Sequence, residues 1–489
     1  MTEPHPHIDH SADTQVEGES LLHSMGYDQQ LNRGLNFLGN IALTVSDITP
    51  TASLLVVGPV VIATAGTGSI WAYLIGCFLA FNVALCMGEL GSMFPSAGGL
   101  YSIVTRVIGK PVGFVGMLLY VGQAIFLPAS IAIGVGVYVN SLVSGVSTTL
   151  AAVVVMVSVT LLALLKINFN AVLTGFFLAL ELSVMVILLL AGVLHLDQPL
   201  SILTHPVIAD GGALRGVATG AIVTALATAL FSVNGYDSAI NFSEETEGSA
   251  AQIGKAVVTA ATIGIVCEIV PFIAGIFGAQ DLHAIISSET PLTDVIDAAF
   301  GKTVVDIVTV GAIIAIFNAS LAITLQFSRI MFSTARDQAW PGPIARGLSR
   351  LNANGAPWVA TLFIGACATI LCLRSSLQSV VSSTAVMIIV LYALIAISAI
   401  VSRVRQRELP RPFRMPLWPA SPLIALAGVA IALSKQTHRD LLIVLGIFVF
   451  GALYYGLYLR HHSRFAQLDT SPEHELAVLQ AEGAVTIRK

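Results

Sequence analysis

The stretch Ala225–Glu247, ALATALFSVNGYDSAINFSEETE, decides how this chain folds. It opens as an apolar helix. It then runs through Ser232, Val233, Asn234, Gly235, Tyr236 and Asp237 and closes on Glu244, Glu245 and Glu247. Ser, Asn and Asp bond to their own backbone and Gly tolerates non-helical dihedrals, so this middle invites a break. At bilayer depth a break leaves amides and carbonyls unpaired, which is tolerated only where the backbone lines a cavity or a binding site. The reading that follows is two half-helices meeting near the midplane with a ligand between their ends. The plainer alternative is a kink at Gly235, but an apolar kink has no need of Asn234 and Asp237 beside it.

The rest of the composition puts that stretch in a membrane. Of 489 residues, 55% are hydrophobic and 10% are charged, and the mean hydropathy is +0.85. Soluble domains carry about 25% charge. Apolar runs long enough to span recur to the end, so the fold class is an all-α polytopic membrane protein. The first thirty or so residues are polar and acidic, with no apolar core of a cleavable signal. His5, His7, His10 and His23 read as scattered residues of a disordered tail rather than a metal site. All five cysteines fall in apolar runs, which implies no disulfide framework.

Twelve spans follow from Leu35 onward, at about 35–64, 69–93, 112–139, 149–166, 170–194, 214–243, 255–278, 303–334, 358–373, 377–401, 420–434 and 440–459. Charge placement supports the count. With both termini cytoplasmic, 18 of the 23 basic residues fall inside, among them Arg106, Lys166, Arg329, Arg336, the 403–414 cluster, Arg464 and Lys489. Outside remain Arg215, Lys302, Arg374, Lys435 and Arg439.

The first span carries a second interruption. In Asn40–Pro59, NIALTVSDITPTASLLVVGP, Thr49 before Pro50 is a helix start inside an apolar run, with Ser46 and Asp47 just ahead of it. Breaks in spans one and six, five apart, point to an inverted-repeat transporter. The organisation expected is a disordered cytoplasmic tail over 1–34, a first repeat over 35–194 and a second over 214–401. Two appended spans over 420–459 and a cytoplasmic tail over 460–489 complete it.

Four stretches carry a family resemblance. They are Gly88–Phe114 (GELGSMFPSAGGLYSIVTRVIGKPVGF), Phe231–Thr246 (FSVNGYDSAINFSEET), Ser328–Leu351 (SRIMFSTARDQAWPGPIARGLSRL) and Arg411–Pro419 (RPFRMPLWP). In order and on one side of the membrane, they resemble the amino acid–polyamine–organocation superfamily, whose members have the leucine-transporter fold of five plus five inverted-repeat helices. The resemblance implies a secondary transporter with a moving bundle of spans 1, 2, 6 and 7 and a scaffold of 3, 4, 8 and 9. It implies that Arg329 and Arg336 pair with acids such as Glu89, Asp337 or the 244–247 cluster and help to close an inward gate.

Helix starts at the breaks present amides suited to a substrate carboxylate, and the ends of the first halves present carbonyls suited to an ammonium. The candidate substrate-binding residues are therefore Ser46, Asp47, Ile48, Thr49, Thr51, Phe231, Ser232, Val233, Asn234, Gly235 and Tyr236. Relatives of the resembled family have a glycine-rich break in span one, which is absent here. Two readings of Asp47 stand: it binds an amine directly, or it caps the turn while Thr49, Thr51 and Ser53 meet the substrate. Phe231 resembles the family aromatic that covers the substrate; core packing is the alternative. Asp237 is a gating acid or a helix-start carboxylate. Glu181 and Glu268 lie at membrane depth, where ionisable groups are functional candidates, so both join Asp237 as coupling candidates. Gln123, Asn318 and Ser320 reach the site or bridge helices.

The sequence holds no Walker loop, no metal-ligand cluster and no nucleophile with a partner base, so neither an enzyme nor a cofactor is expected, only H⁺ or Na⁺ as a coupling ion. The loop Asn140–Thr148 has no cysteine with which to hold a disulfide-linked heavy chain. The function expected is a permease for an amino acid or a small organic amine such as γ-aminobutyrate, a polyamine or choline, driven by protons. A sodium symporter or an exchanger of the same fold is the alternative. An amino acid sensor would need the long extra domain that these tails do not provide.

Overall fold

The computed structural model describes residues 7–8, 18–28, 30–31, 33–143, 145–165, 167–462, 465, 470–481 and 487–488. His5, His10, Lys166, Arg464 and Lys489 lie outside the described residues. Helices overlie each of the apolar stretches. Among the described residues, seven segments are long and apolar enough to cross a bilayer, and the first of them, Phe37–Met93, contains more than one helix. Four shorter apolar helices accompany them.

Helix α1 (Gly18–Ser24) falls within the stretch expected to be a disordered tail. It is ordered because its apolar side chains find partners: Leu21 packs with Ala250 and Leu479, and Leu22, Met25 and Tyr27 join the main core. Within the stretch expected as a disordered tail, residues 18–28 are therefore packed against the rest of the chain. The first interrupted span is α2 (Phe37–Ile48), then Thr49, then α3 (Pro50–Ala52). The helix continues through a π-helical stretch, Ser53–Val57, into α4 (Gly58–Ala65). Helices α5 (Ser69–Met93), α6 (Gly99–Val107), α7 (Lys110–Leu142), α8 (Thr148–Leu162) and α9 (Ile167–Leu194) follow.

After α10 (Ser201–Thr204), an antiparallel hairpin of Val207–Asp210 and Ala213–Gly216 leads into α11 (Thr219–Ser232), so the sixth apolar helix starts later than residue 214. Past the break comes only α12 (Ser238–Asn241) and a 3-10 turn, Ser243–Glu245. The second half-helix expected there is thus a short piece. The Glu245 carbonyl accepts from the Gly34 and Leu35 amides, and the Glu247 amide donates to Leu35, so this backbone pairs with the entering chain instead of with itself. Next come α13 (Ala250–Phe277), α14 (Leu282–Ser287), α15 (Pro291–Phe300), α16 (Lys302–Arg336) and α17 (Gly342–Leu348). Helices α18 (Trp358–Arg374), α19 (Leu377–Arg405), α20 (Ala420–Leu433), α21 (His438–Tyr454) and α22 (Arg460–His462) follow. The C-terminal helix Pro472–Ala481 packs on α1, inside the stretch expected as a tail.

The two interrupted helices sit in the middle of the bundle. Helix α2 packs against α9, α13 and α16, while α11 packs against α4, α5 and α19. The outer helices turn large apolar side chains outward: Leu442, Leu445, Phe450 and Leu457 of the last span are exposed. A hydrocarbon solvent accepts such a surface and water does not.

Candidate functional site

The break in the first span is a single residue. Proline disfavours the α region for the residue before it, and Thr49 takes a left-handed conformation with φ 58° and ψ 57°. Its amide still donates to the Val45 carbonyl, and its carbonyl still accepts from the Ser53 amide. Both helices therefore close on Thr49 and few backbone groups are left open. In the sixth span the turn passes through Gly235 at φ +115°, a conformation available to glycine.

The two breaks lie against each other. A Cβ on Gly235 would stand 2.6 Å from the Asp47 carbonyl oxygen and 2.8 Å from the Ile48 nitrogen. Ser53 fastens the pair, its hydroxyl lying 2.6 Å from the Ser232 carbonyl and 3.0 Å from that of Ile48. Beside this contact is a cavity lined by Asp47, Ile48, Thr49, Ser53, Phe231, Ser232 and Asn234, with Leu127, Ile131 and Ile323 from α7 and α16. Its volume is about 10 Å³, room for roughly one water. The site is closed.

Around it are four buried carboxyls. Asp47 is 3% exposed, and neither of its oxygens has a hydrogen-bond partner. Asp237 is held by the Tyr120 hydroxyl and by Gln326 Nε2 at 3.1 Å, and Asn241 donates in turn to Tyr120 at 2.8 Å. Glu181 takes the Thr51 amide at 3.0 Å while the Thr51 hydroxyl donates back to its carbonyl. Glu268 accepts from the Ser232 hydroxyl at 2.9 Å, which also meets the Tyr73 hydroxyl. Each of these two glutamates thus grips one interrupted span, and each keeps one oxygen unpartnered.

On the side where the terminal helices meet, arginines close the bundle. Arg329 makes a two-pronged pair with Glu245 at 3.0 and 3.2 Å, and Arg336 another with Glu244 at 2.8 and 2.8 Å. The 244–247 cluster is thus the partner, whereas Glu89, named beside it, is not. Glu89 pairs with Arg403 and with Arg411 at 2.9 Å, and accepts the Met415 amide. The Tyr27 ring lies 4.2 Å from the Arg336 guanidinium carbon and 5.6 Å from that of Arg106. Arg106 in turn holds Glu475 at 2.5 Å and the Met25 carbonyl at 2.7 Å.

Of the residues expected at the site, Asp47, Ile48, Thr49, Phe231, Ser232 and Asn234 line the cavity. Ser46, Thr51, Val233, Gly235 and Tyr236 do not. Thr51 is spent on Glu181, Gly235 forms the contact behind the cavity, and Tyr236 stacks on Tyr392 with ring centroids 6.0 Å apart. Gln123, Asn318 and Ser320 do not line it either. Tyr120, Gln326 and Asn241, which hold Asp237, were not expected; a lone polar residue in an apolar helix carries no spacing signal.

Comparison with known proteins agrees with this architecture. A family profile described as amino acid permease matches residues 35–452. The chain is 21% identical to the branched-chain amino acid permease BcaP of Bacillus subtilis over 92% of its own length and 98% of that protein. It is 25% identical to the serine/threonine exchanger SteT of the same organism, over 84% and 93% respectively. It is 22% identical to the methylthioribose transporter of that organism, over 90% and 96%. The profile spans most of a multi-pass chain whose helices break at its centre: the protein belongs to the amino acid permease family and is a transporter, not an enzyme.

Proposed function

We propose that the chain is a secondary active transporter that moves an amino acid or a small organic amine by alternating access, with protons as the coupling ion. The observation that carries this is the contact of two interrupted helices, Gly235 on the Asp47 carbonyl, beside a small cavity lined by both polar and apolar side chains. Non-helical backbone at this depth is tolerated where a cargo binds. The names of the relatives support small polar cargo. In this reading the helices make twelve spans, two inverted five-helix repeats and an appended pair, with both termini cytoplasmic in a cell membrane.

Cargo rests among Asp47, Ile48, Thr49, Phe231, Ser232 and Asn234, with Phe231 covering it. Glu181 and Glu268 are the coupling acids. Each is bonded to an interrupted span, so gaining or losing a proton changes how firmly that span is held. Asp237, held by Tyr120 and Gln326, ties the short half of span six to α7 and α16 and acts as a gating acid. The Arg329–Glu245 and Arg336–Glu244 pairs shut the cytoplasmic side.

The test is uptake of radiolabelled cargo into proteoliposomes, with and without Na⁺ and with the outside at about pH 5.5 or 7.5. Uptake driven by outside acid and indifferent to Na⁺ is the expected result. Dependence on Na⁺ alone would refute proton coupling, and no uptake of any amino acid or amine would refute the reading as a whole.

A further inference from the structure

The C-terminal helix Pro472–Ala481 carries one acid that does not face water. Glu475 is buried, and its carboxylate meets Arg106 of α6 at 2.5 Å. The same arginine, also buried, donates to the Met25 carbonyl at 2.7 Å, just past α1. One helical turn beyond Glu475, Leu479 packs with Leu21 of α1 and with Ala250, the first residue of α13. Glu473 and His474 of the same helix are exposed. One face of the helix thus places an acid on α6 and a leucine on α1 and α13.

This dock is joined to the closure of the same face. The Tyr27 ring is shared by the Arg106 and Arg336 guanidiniums. Arg336 grips Glu244 with two bonds, and Glu244 also accepts the Ala97 amide at 2.8 Å, from the turn that leads into α6. Ala250 follows the Glu245–Glu247 backbone on which Gly34 and Leu35 are moored. The docked helix therefore touches α6, α1 and the start of α13, the elements that must part if this face is to open.

The dock is also built to come off. The helix has 10 residues, and isolated helices shorter than about 12–15 residues are marginal in water. Docking strips two charges from water, and a buried ion pair roughly breaks even against an apolar contact. Phe465 is fully buried, with its ring centroid 6.1 Å from that of Phe114 in α7. It tethers the chain ahead of the helix, so a released helix stays close to its dock and rebinds as an intramolecular event.

We propose that the helix Pro472–Ala481 is an autoinhibitory latch. Docked through Glu475 on Arg106, it holds this face of the bundle closed. The Arg336–Glu244 pair and the mooring of Gly34 and Leu35 on Glu245 open after it has let go. This rests on the reading of the arginine pairs as a closure and adds a control upon it.

Hydrogen exchange of the purified full chain tests the order of events and needs no cargo. The latch is read from the amides of 472–481, the mooring from those of Gly34, Leu35 and Glu247, and the hairpin 207–216 serves as internal reference. Glu475→Gln is expected to speed exchange of both latch and mooring by at least about tenfold, with the hairpin unchanged. Glu475→Asp should give a smaller acceleration, and Glu473→Gln, exposed on the same helix, none. Acceleration confined to 472–481 overturns the proposal, since the helix is then docked without holding anything shut. No acceleration anywhere overturns it as well. The unmutated protein decides the matter even where Glu475→Gln does not fold, because amides that open only after the latch cannot be less protected than the latch itself. Mooring amides more than about tenfold less protected than those of 472–481 overturn the proposal. Either failure leaves the transporter reading to the uptake assay.

Discussion

Replacing Gly235 by alanine tests the contact between the two interrupted helices. The residue sits at φ +115°, and holding a residue with a side chain in such a sparsely populated conformation costs about 1–3 kcal/mol. The new methyl would also stand 2.6 Å from the Asp47 oxygen, 2.7 Å from its carbonyl carbon and 2.8 Å from the Ile48 nitrogen. All three are backbone atoms, so no side chain can swing aside, and α2 must move away from α11. Since about 1.4 kcal/mol is a factor of ten, the closed arrangement should lose roughly 5- to 150-fold in population from the backbone cost alone. Uptake into proteoliposomes should fall by at least tenfold, with the melting temperature lowered. Gly446→Ala is the control: it lies in α21 with nothing within 4 Å of the added methyl, and replacing helical glycine by alanine is worth up to about 1 kcal/mol of stabilisation. Wild-type uptake by Gly235→Ala, with Gly446→Ala also unchanged, would refute the packed-break reading.

Three further substitutions address separate parts. Ser53→Ala removes the hydroxyl that meets the Ser232 and Ile48 carbonyls and should cost about 0.5–1.5 kcal/mol. Its signature is a several-fold rise in KM with expression unchanged, and an unaltered KM argues against Ser53 as the fastener. Arg329→Ala strands the buried Glu245 carboxylate, and breaking one half of a buried pair typically costs about 3–5 kcal/mol. A melting temperature within a degree of the parent would show that Glu245 finds another partner. Glu268→Gln keeps a side-chain oxygen for the Ser232 hydroxyl but cannot carry a proton. Accumulation driven by a pH gradient should drop at least about tenfold while exchange at equal pH survives, and retained accumulation would remove Glu268 from coupling.

The breaks were legible because they are written in local chemistry: Thr49 before Pro50, and Asn-Gly-Tyr-Asp inside an apolar run. The acid–arginine closure was legible in its residue types but less so in its pairing. Glu89 takes Arg403 from the end of α19 and Arg411 from the stretch after it, which returns to α5, and no spacing along the chain records either approach. Direction was the other loss. Tyr236 adjoins the break yet turns toward Tyr392, and Thr51 faces Glu181 instead of cargo, because neighbouring helices set those choices. Tyr120 and Gln326 were unreadable for the same reason. The polarity of the N-terminal stretch conceals that Leu21 and Leu22 have apolar partners waiting.

Thr49 has a mechanical consequence. Because the helices on either side both end their hydrogen bonding on this one residue, α2 can swing about it like an oar in a rowlock, without tearing its ladder. Helix α2 has 12 residues, so at 1.5 Å per residue the arm beyond the pivot is about 18 Å long. By that rise, a turn of roughly 15° at Thr49 would carry the far end through about 5 Å, close to one helical pitch. The far end is the one that Leu35 and Gly34 moor to the Glu245 carbonyl. A small change of dihedral angle at Thr49 would thereby be geared up into a displacement large enough to part that mooring.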